Sequence, residues 1–183
     1  MDTPVTLLQA APLVQKLGVT AGQTIGDFGA GGSGHIAVEL GRAVGAEGNV
    51  LLFDVQKSAL SAAMSALQTH GVTNVQTVWT DLEVYRGASG VGEATLDAGI
   101  LVNVLHQSKQ PKAILAEVGR MVKSGARLLV VDWLTEAATP LAPPPAMRLG
   151  AEHVSQIAQA VGFAQLEIFS AGPYYWGLVL IKT

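Results

Sequence analysis

The 183-residue chain has no cysteine. That absence excludes a disulfide framework, a thiolate zinc site, an iron–sulfur cluster and cysteine nucleophilic catalysis, and it fits a reducing cytoplasm, the expected location. Charge is scarce too, at 14% of residues against roughly 25% in an ordinary globular protein. Eleven Lys and Arg against fourteen Asp and Glu leave a formal charge of -3, and no window holds a basic run. Binding driven by nucleic-acid phosphates needs clustered cations, so no nucleic-acid partner is expected. No apolar run approaches the roughly 20 residues that cross a bilayer, and the first residues lack the basic and apolar regions of a secretory signal. No membrane partner is expected either.

What is abundant is alanine, valine, leucine and glycine, with 21 glycines and 49% hydrophobic residues. Such a composition excludes intrinsic disorder, and a chain of this length buries one good core but not two. One domain spanning 1–183 is expected, as a monomer or homodimer.

Apolar runs of strand length alternate with segments of helical period, the signature of a parallel sheet covered on both faces. A helix within 1–20 is expected to cover the site. Strands are expected at 24–28, 50–54, 74–79, 96–102 and 126–134. Between them lie stripes such as Ile36, Leu40, Ala43 and Val44, or Ile114, Leu115, Val118, Met121 and Val122, the latter in a helix that Pro111 can begin and Gly125 end. Residues 82–93 read as a loop, and the prolines of 139–149 as a loop without regular structure. The last two strands, 163–170 and 174–182, are separated by a three-residue turn too short for a crossover and must pair antiparallel. The expected fold is therefore α/β, Rossmann-like and doubly wound, with five parallel strands and a C-terminal antiparallel hairpin.

Ligands of such sheets bind beyond the C-terminal strand ends, and the polar residues of this chain gather there. After the first strand comes Asp27-Phe28-Gly29-Ala30-Gly31-Gly32-Ser33-Gly34, in which Gly29, Gly31 and Gly34 match G-x-G-x-x-G between a strand and a helix. Asp54 ends the second strand twenty residues on, where a carboxylate can accept both ribose hydroxyls of an adenosine ligand. Asp81 follows the third strand, Asn103 and His106 the fourth, and Asp132 and Trp133 lie late in the fifth. A dinucleotide places its pyrophosphate at the helix N-terminus, and Asp27 adds only unwanted negative charge there; a sulfonium ligand with an amino-acid tail is cationic and gains from it.

On these residues, DFGAGGSG followed by LLFD resembles motifs I and II of the class I S-adenosylmethionine-dependent methyltransferases, closest to small stand-alone bacterial and archaeal methyltransferase-domain proteins. NVQTVWTDLE, LDAGILVNVLHQ and KAILAEVGRMVKSGARLLVVDW are similar to later segments of that class, so the likeness covers nearly the whole chain. The glycine loop carries one residue more than the family's usual DFGAGSG, around Gly32 and Ser33. The resemblance implies S-adenosylmethionine as cofactor, held by Asp27, Phe28, Gly29, Ala30, Gly31, Gly34, Asp54, Val55, Asp81, Leu82 and Asn103, and methyl transfer to a small-molecule acceptor. Arsenite methylation in related enzymes uses cysteines, which this chain lacks.

In-line methyl transfer needs alignment above all, and a general base only when the acceptor must lose a proton. His106 is the candidate base, or a packing histidine. Trp133 is the candidate acceptor wall and Arg148 a candidate cation toward an acidic acceptor, or a surface arginine. Phe28 and Trp176 are expected in the core, and no metal site is expected from four scattered histidines. The rival readings are an NAD(P)-dependent reductase and a cofactor-binding module without chemistry of its own.

Overall fold

The computed structural model describes residues 8–183. Seven strands form one sheet: β1 (Thr24–Phe28), β2 (Asn49–Asp54), β3 (Val75–Trp79), β4 (Leu96–Val102), β5 (Val122–Trp133), β6 (Phe163–Gly172) and β7 (Tyr175–Lys182). Their order is β3-β2-β1-β4-β5-β7-β6. β1 pairs in parallel with both β2 and β4, so strand order reverses between β1 and β4, where an open α/β sheet leaves a crevice. β5 pairs antiparallel with β7, and β7 with β6, which makes the terminal hairpin.

Five helices cover the two faces. α1 (Ala10–Leu17), α2 (His35–Val44) and α3 (Lys57–Thr69) pack on one, against Ile25, Leu52, Ile100 and Leu129; α4 (Pro111–Met121) and α5 (Ala151–Gln159) pack on the other, against Phe28, Phe53, Leu101 and Leu128. Alternate residues of each strand thus face opposite layers, and the scarcity of charge follows from burying both sides of the sheet. Of the N-terminal segment expected to cover the site, residues 1–7 lie outside the described residues. Of the rest, Ala10–Leu17 form α1, which buries Leu13, Val14 and Leu17 against the sheet layer and meets the hairpin, where Leu8, Gln9, Pro12 and Lys16 border a cavity of about 520 Å³ with Phe169, Pro173 and Tyr175 and Lys16 pairs with Glu167 (2.8 Å).

Two boundaries differ from the expectation for a reason of pairing. α4 does not run to Gly125 but stops at Met121, because Val122 pairs with Leu96 of β4; the ladder then resumes at Arg127 opposite Ala98, and Gly125 sits in the intervening bulge at φ +79°. The proline segment is not wholly irregular, since Pro145–Met147 close one turn of 3-10 helix. Residues 82–93 form turns, held from behind by Glu117. Its carboxylate is fully buried, accepts the backbone N–H groups of Arg86 (2.9 Å) and Ala88 (3.3 Å), and pairs with Arg120 (2.7 Å), which also donates to the carbonyls of Val91 and Ala88.

Candidate functional site

A cleft of about 420 Å³ opens at the C-terminal ends of β1, β2, β3 and β4. Of the residues expected to hold a cofactor, Gly29, Gly31, Asp54, Val55, Asp81 and Leu82 line it. The turn after β1 is locked by two hydrogen bonds into the end of β2, from the Gly29 and Ala30 N–H groups to the Phe53 carbonyl (2.7 and 3.0 Å). Gly29 and Gly31 both have positive φ, +75° and +62°. A Cβ on Gly29 would stand 2.4 Å from Val104, whereas one on Gly31 would meet nothing within 4 Å, so Gly29 is required by packing and Gly31 opens onto the cleft.

Asp54 is aimed by the backbone: its carboxylate accepts Gly31 N–H (3.0 Å) at one oxygen and Gln56 N–H (2.8 Å) at the other. Each oxygen keeps lone-pair capacity toward the cleft, as binding a vicinal diol requires. Asp81 accepts Glu83 N–H (2.9 Å) through one oxygen, leaving the second free, and Leu82, Val104 and Ile114 supply apolar walls beside it. Sequence reasoning did not single out Gln56, Ala59, Thr80, Glu83, Gln107, Ser108 or Ile114, which also line the cleft. Nothing in their type marks them, and only the neighbouring motifs could have pointed to them.

Behind the glycine turn lies Asp27, only 2% exposed and accepting no hydrogen bond among the described residues. Burial, with the negative charge of Asp54 in addition, pushes its pKa from 3.8 up to about 7. A buried carboxylate without donors is costly, and a cation brought beside it relieves the cost. Near the β4 end, Asn103 takes φ +58° and leaves its Oδ1 buried without a partner. In and beside the cleft stand a buried amide oxygen without a partner, a buried carboxylate that accepts no hydrogen bond among the described residues, a carboxylate with lone pairs left toward the cleft, and an apolar slot. These fit an adenosine carrying a cationic amino-acid tail.

Three expected contacts lie elsewhere. Phe28 is fully buried and stacks on Phe53 with ring centroids 4.7 Å apart, so its side chain is core rather than cleft. Gly34 turns away toward α3, where a Cβ would stand 3.2 Å from the Ala63 carbonyl oxygen. Arg148 does not project toward a ligand: its guanidinium donates to the carbonyls of Pro143 (2.7 Å), Thr135 (3.0 Å) and Ala137 (2.9 Å), stapling the proline segment.

On the β5 side, Trp133 is buried against Tyr175, with centroids 4.4 Å apart. Burial raises the Tyr175 hydroxyl above its ordinary pKa and the nearby Asp132 carboxylate adds to this, while the neighbouring Asn103 amide opposes it. His106 follows β4 in the 3-10 turn Leu105–Gln107, and its Nδ1 lies 2.7 Å from Asp132 Oδ1. The sequence showed no carboxylate partner for this histidine, because the two residues are 26 apart and meet only through the β4–β5 pairing.

The family model for the methyltransferase domain matches residues 20–168. The ubiquinone/menaquinone biosynthesis C-methyltransferase UbiE of Marinomonas sp. is 34% identical over 121 residues, 66% of this chain and 46% of that protein. Its counterpart in Citrobacter koseri is 33% identical over 125 residues, 68% of this chain and 48% of that protein. The chain therefore spans about half the length of these curated relatives. Among solved structures, a SAM-dependent methyltransferase from Aquifex aeolicus superimposes with a TM-score of 0.86 at 24% identity, covering 100% of this chain and 95% of that one.

Proposed function

This chain belongs to the methyltransferase-domain family of the class I, S-adenosylmethionine-dependent fold, and from that premise we propose that it transfers a methyl group from S-adenosylmethionine to a small-molecule acceptor in the cytoplasm. One observation carries the reading: the Asp54 carboxylate, fixed by Gly31 and Gln56, lines the cleft, and behind the glycine turn that lines it with Asp54 is the buried Asp27, which accepts no hydrogen bond among the described residues. The pair recognises a ribose and a cationic tail at once. A reduced nicotinamide dinucleotide lacks that cationic tail and gives the buried Asp27 no countercharge.

When bound, the cofactor supplies an electrophilic methyl on a sulfonium. The chain's own residues do the rest. Asp54 and Asp81 grip the adenosine, Asp27 and Asn103 hold the amino-acid portion, and Val55, Leu82 and Ile114 exclude water from the adenine slot. Trp133 with Tyr175 forms an aromatic wall for the acceptor, and His106 is the base for an acceptor that must be deprotonated. The relatives named for ubiquinone/menaquinone biosynthesis C-methylation support a small acceptor. Among the described residues no helix is long and apolar enough to cross a membrane.

Formation of S-adenosylhomocysteine, followed with pooled phenols, quinols, amines and hydroxy acids, tests the acceptor class. Turnover is expected with at least one small-molecule pool. Turnover with RNA or protein alone would contradict the proposal.

A further inference from the structure

Asp132 is 1% exposed, yet its carboxylate is surrounded by donors: it accepts His106 N–H (3.1 Å) and Trp133 N–H (2.8 Å) from the backbone, and its Oδ1 lies 2.7 Å from the His106 ring Nδ1. The backbone donors fix the carboxylate, and the carboxylate fixes the ring. An ionised carboxylate only accepts hydrogen bonds, so the short contact to Nδ1 requires a proton on Nδ1 and leaves the lone pair of neutral imidazole on Nε2. That second nitrogen makes no hydrogen bond among the described residues, and it is not among their sealed, partnerless polar atoms. The ring is 9% exposed and bonded to Asp132, and Val104 and Gln107 on either side of it in the chain line the cleft.

We propose that Asp132 is a positioning residue that presents His106 Nε2 as a proton acceptor, and that the acceptors of this protein are nucleophiles that must shed a proton, such as a hydroxyl or an acidic carbon, rather than thiolates or tertiary amines. The proposal rests on the methyl-transfer reading. Nε2 takes the acceptor's proton as the freed electron pair bonds the methyl carbon; the carbon–sulfur pair stays on sulfur as a neutral thioether. The imidazolium so formed faces the Asp132 carboxylate and later returns its proton to water. A loop-anchoring role alone needs the two backbone hydrogen bonds but no particular ring tautomer.

Asp132→Asn separates the two roles. With its carbonyl oxygen in the Oδ2 place it still accepts His106 N–H and anchors the turn, while the amide in the Oδ1 place gives up the bond from Trp133 N–H, offers a proton to Nδ1 and drives the ring to the Nε2–H form. Ring-nitrogen NMR of the full chain saturated with S-adenosylhomocysteine is expected to show Nδ1–H in the wild type and Nε2–H in Asp132→Asn, with amide shifts confined to Trp133 and its neighbours. With catechol as the hydroxyl probe and benzenethiol as the thiolate probe, the substitution is expected to lower kcat for catechol by roughly 100-fold or more with little change in KM, and to spare any transfer to the thiolate. A wild-type ring already protonated at Nε2, or catechol transfer indifferent to the substitution, overturns the proposal. If S-adenosylhomocysteine moves no resonance, the methyl-transfer reading itself falls.

Discussion

Asp27 is the residue whose ionisation most distinguishes the empty cleft from a filled one. In the native state it keeps its proton up to about pH 7, whereas an unfolded chain releases it near 3.8. Between those values the native state binds more protons, so the stability of the ligand-free protein falls as pH rises from about 4 to about 7 and then levels off. A cationic ligand favours the carboxylate; S-adenosylmethionine affinity therefore rises over the upper part of that window, and binding at pH 6 releases a proton. Thermal scans from pH 5 to 8, and calorimetry in buffers of different ionisation enthalpy, measure both. Asp27→Asn is expected to remove the decline in stability and to weaken binding by roughly tenfold or more, since one pKa unit corresponds to about 1.4 kcal/mol. Asp54→Ala should also weaken S-adenosylmethionine more than about tenfold in the same titration, by loss of the two ribose hydrogen bonds, with little change in the fold.

At the scale of elements, the loop 82–93 owes its shape to α4 rather than to its own sequence. Glu117 and Arg120 form a buried pair whose free valences go to the backbone of Arg86, Ala88 and Val91. Glu117→Ala strands the arginine charge and the loop's N–H groups, costing about 3–5 kcal/mol, or roughly 10 °C in Tm for a chain of this size. Hydrogen exchange at Arg86 and Ala88 should accelerate well beyond that of the β4 amides; equal protection in the variant would mean that the loop holds itself. None of this was visible in the sequence, because a glutamate on a helical stripe between Ile114 and Met121 looks like a solvent-facing residue. The strands and the glycine turn, by contrast, were legible, since apolar runs and G-x-G-x-x-G are local signals. What escaped was made by tertiary pairing: the early stop of α4, forced by Val122 meeting Leu96, the diversion of Arg148 to three carbonyls, and the meeting of His106 with Asp132.

For the whole molecule, scarcity of charge becomes an aid to reading. A sheet covered on both faces leaves few places for carboxylates, and four of those in this chain, Asp27, Asp54, Asp81 and Asp132, stand at or beside the C-terminal ends of β1, β2, β3 and β5. The first three belong to strands on one side of the crevice between β1 and β4, and Asp132 to a strand on the other. Asp27, Asp54 and Asp81 together are expected to select a cationic adenosine ligand. Isothermal titration of the protein with S-adenosylmethionine, S-adenosylhomocysteine and reduced nicotinamide dinucleotides tests it most directly. The account predicts one-to-one binding of the first two and none of the dinucleotides; binding of a reduced dinucleotide without binding of S-adenosylmethionine would contradict it.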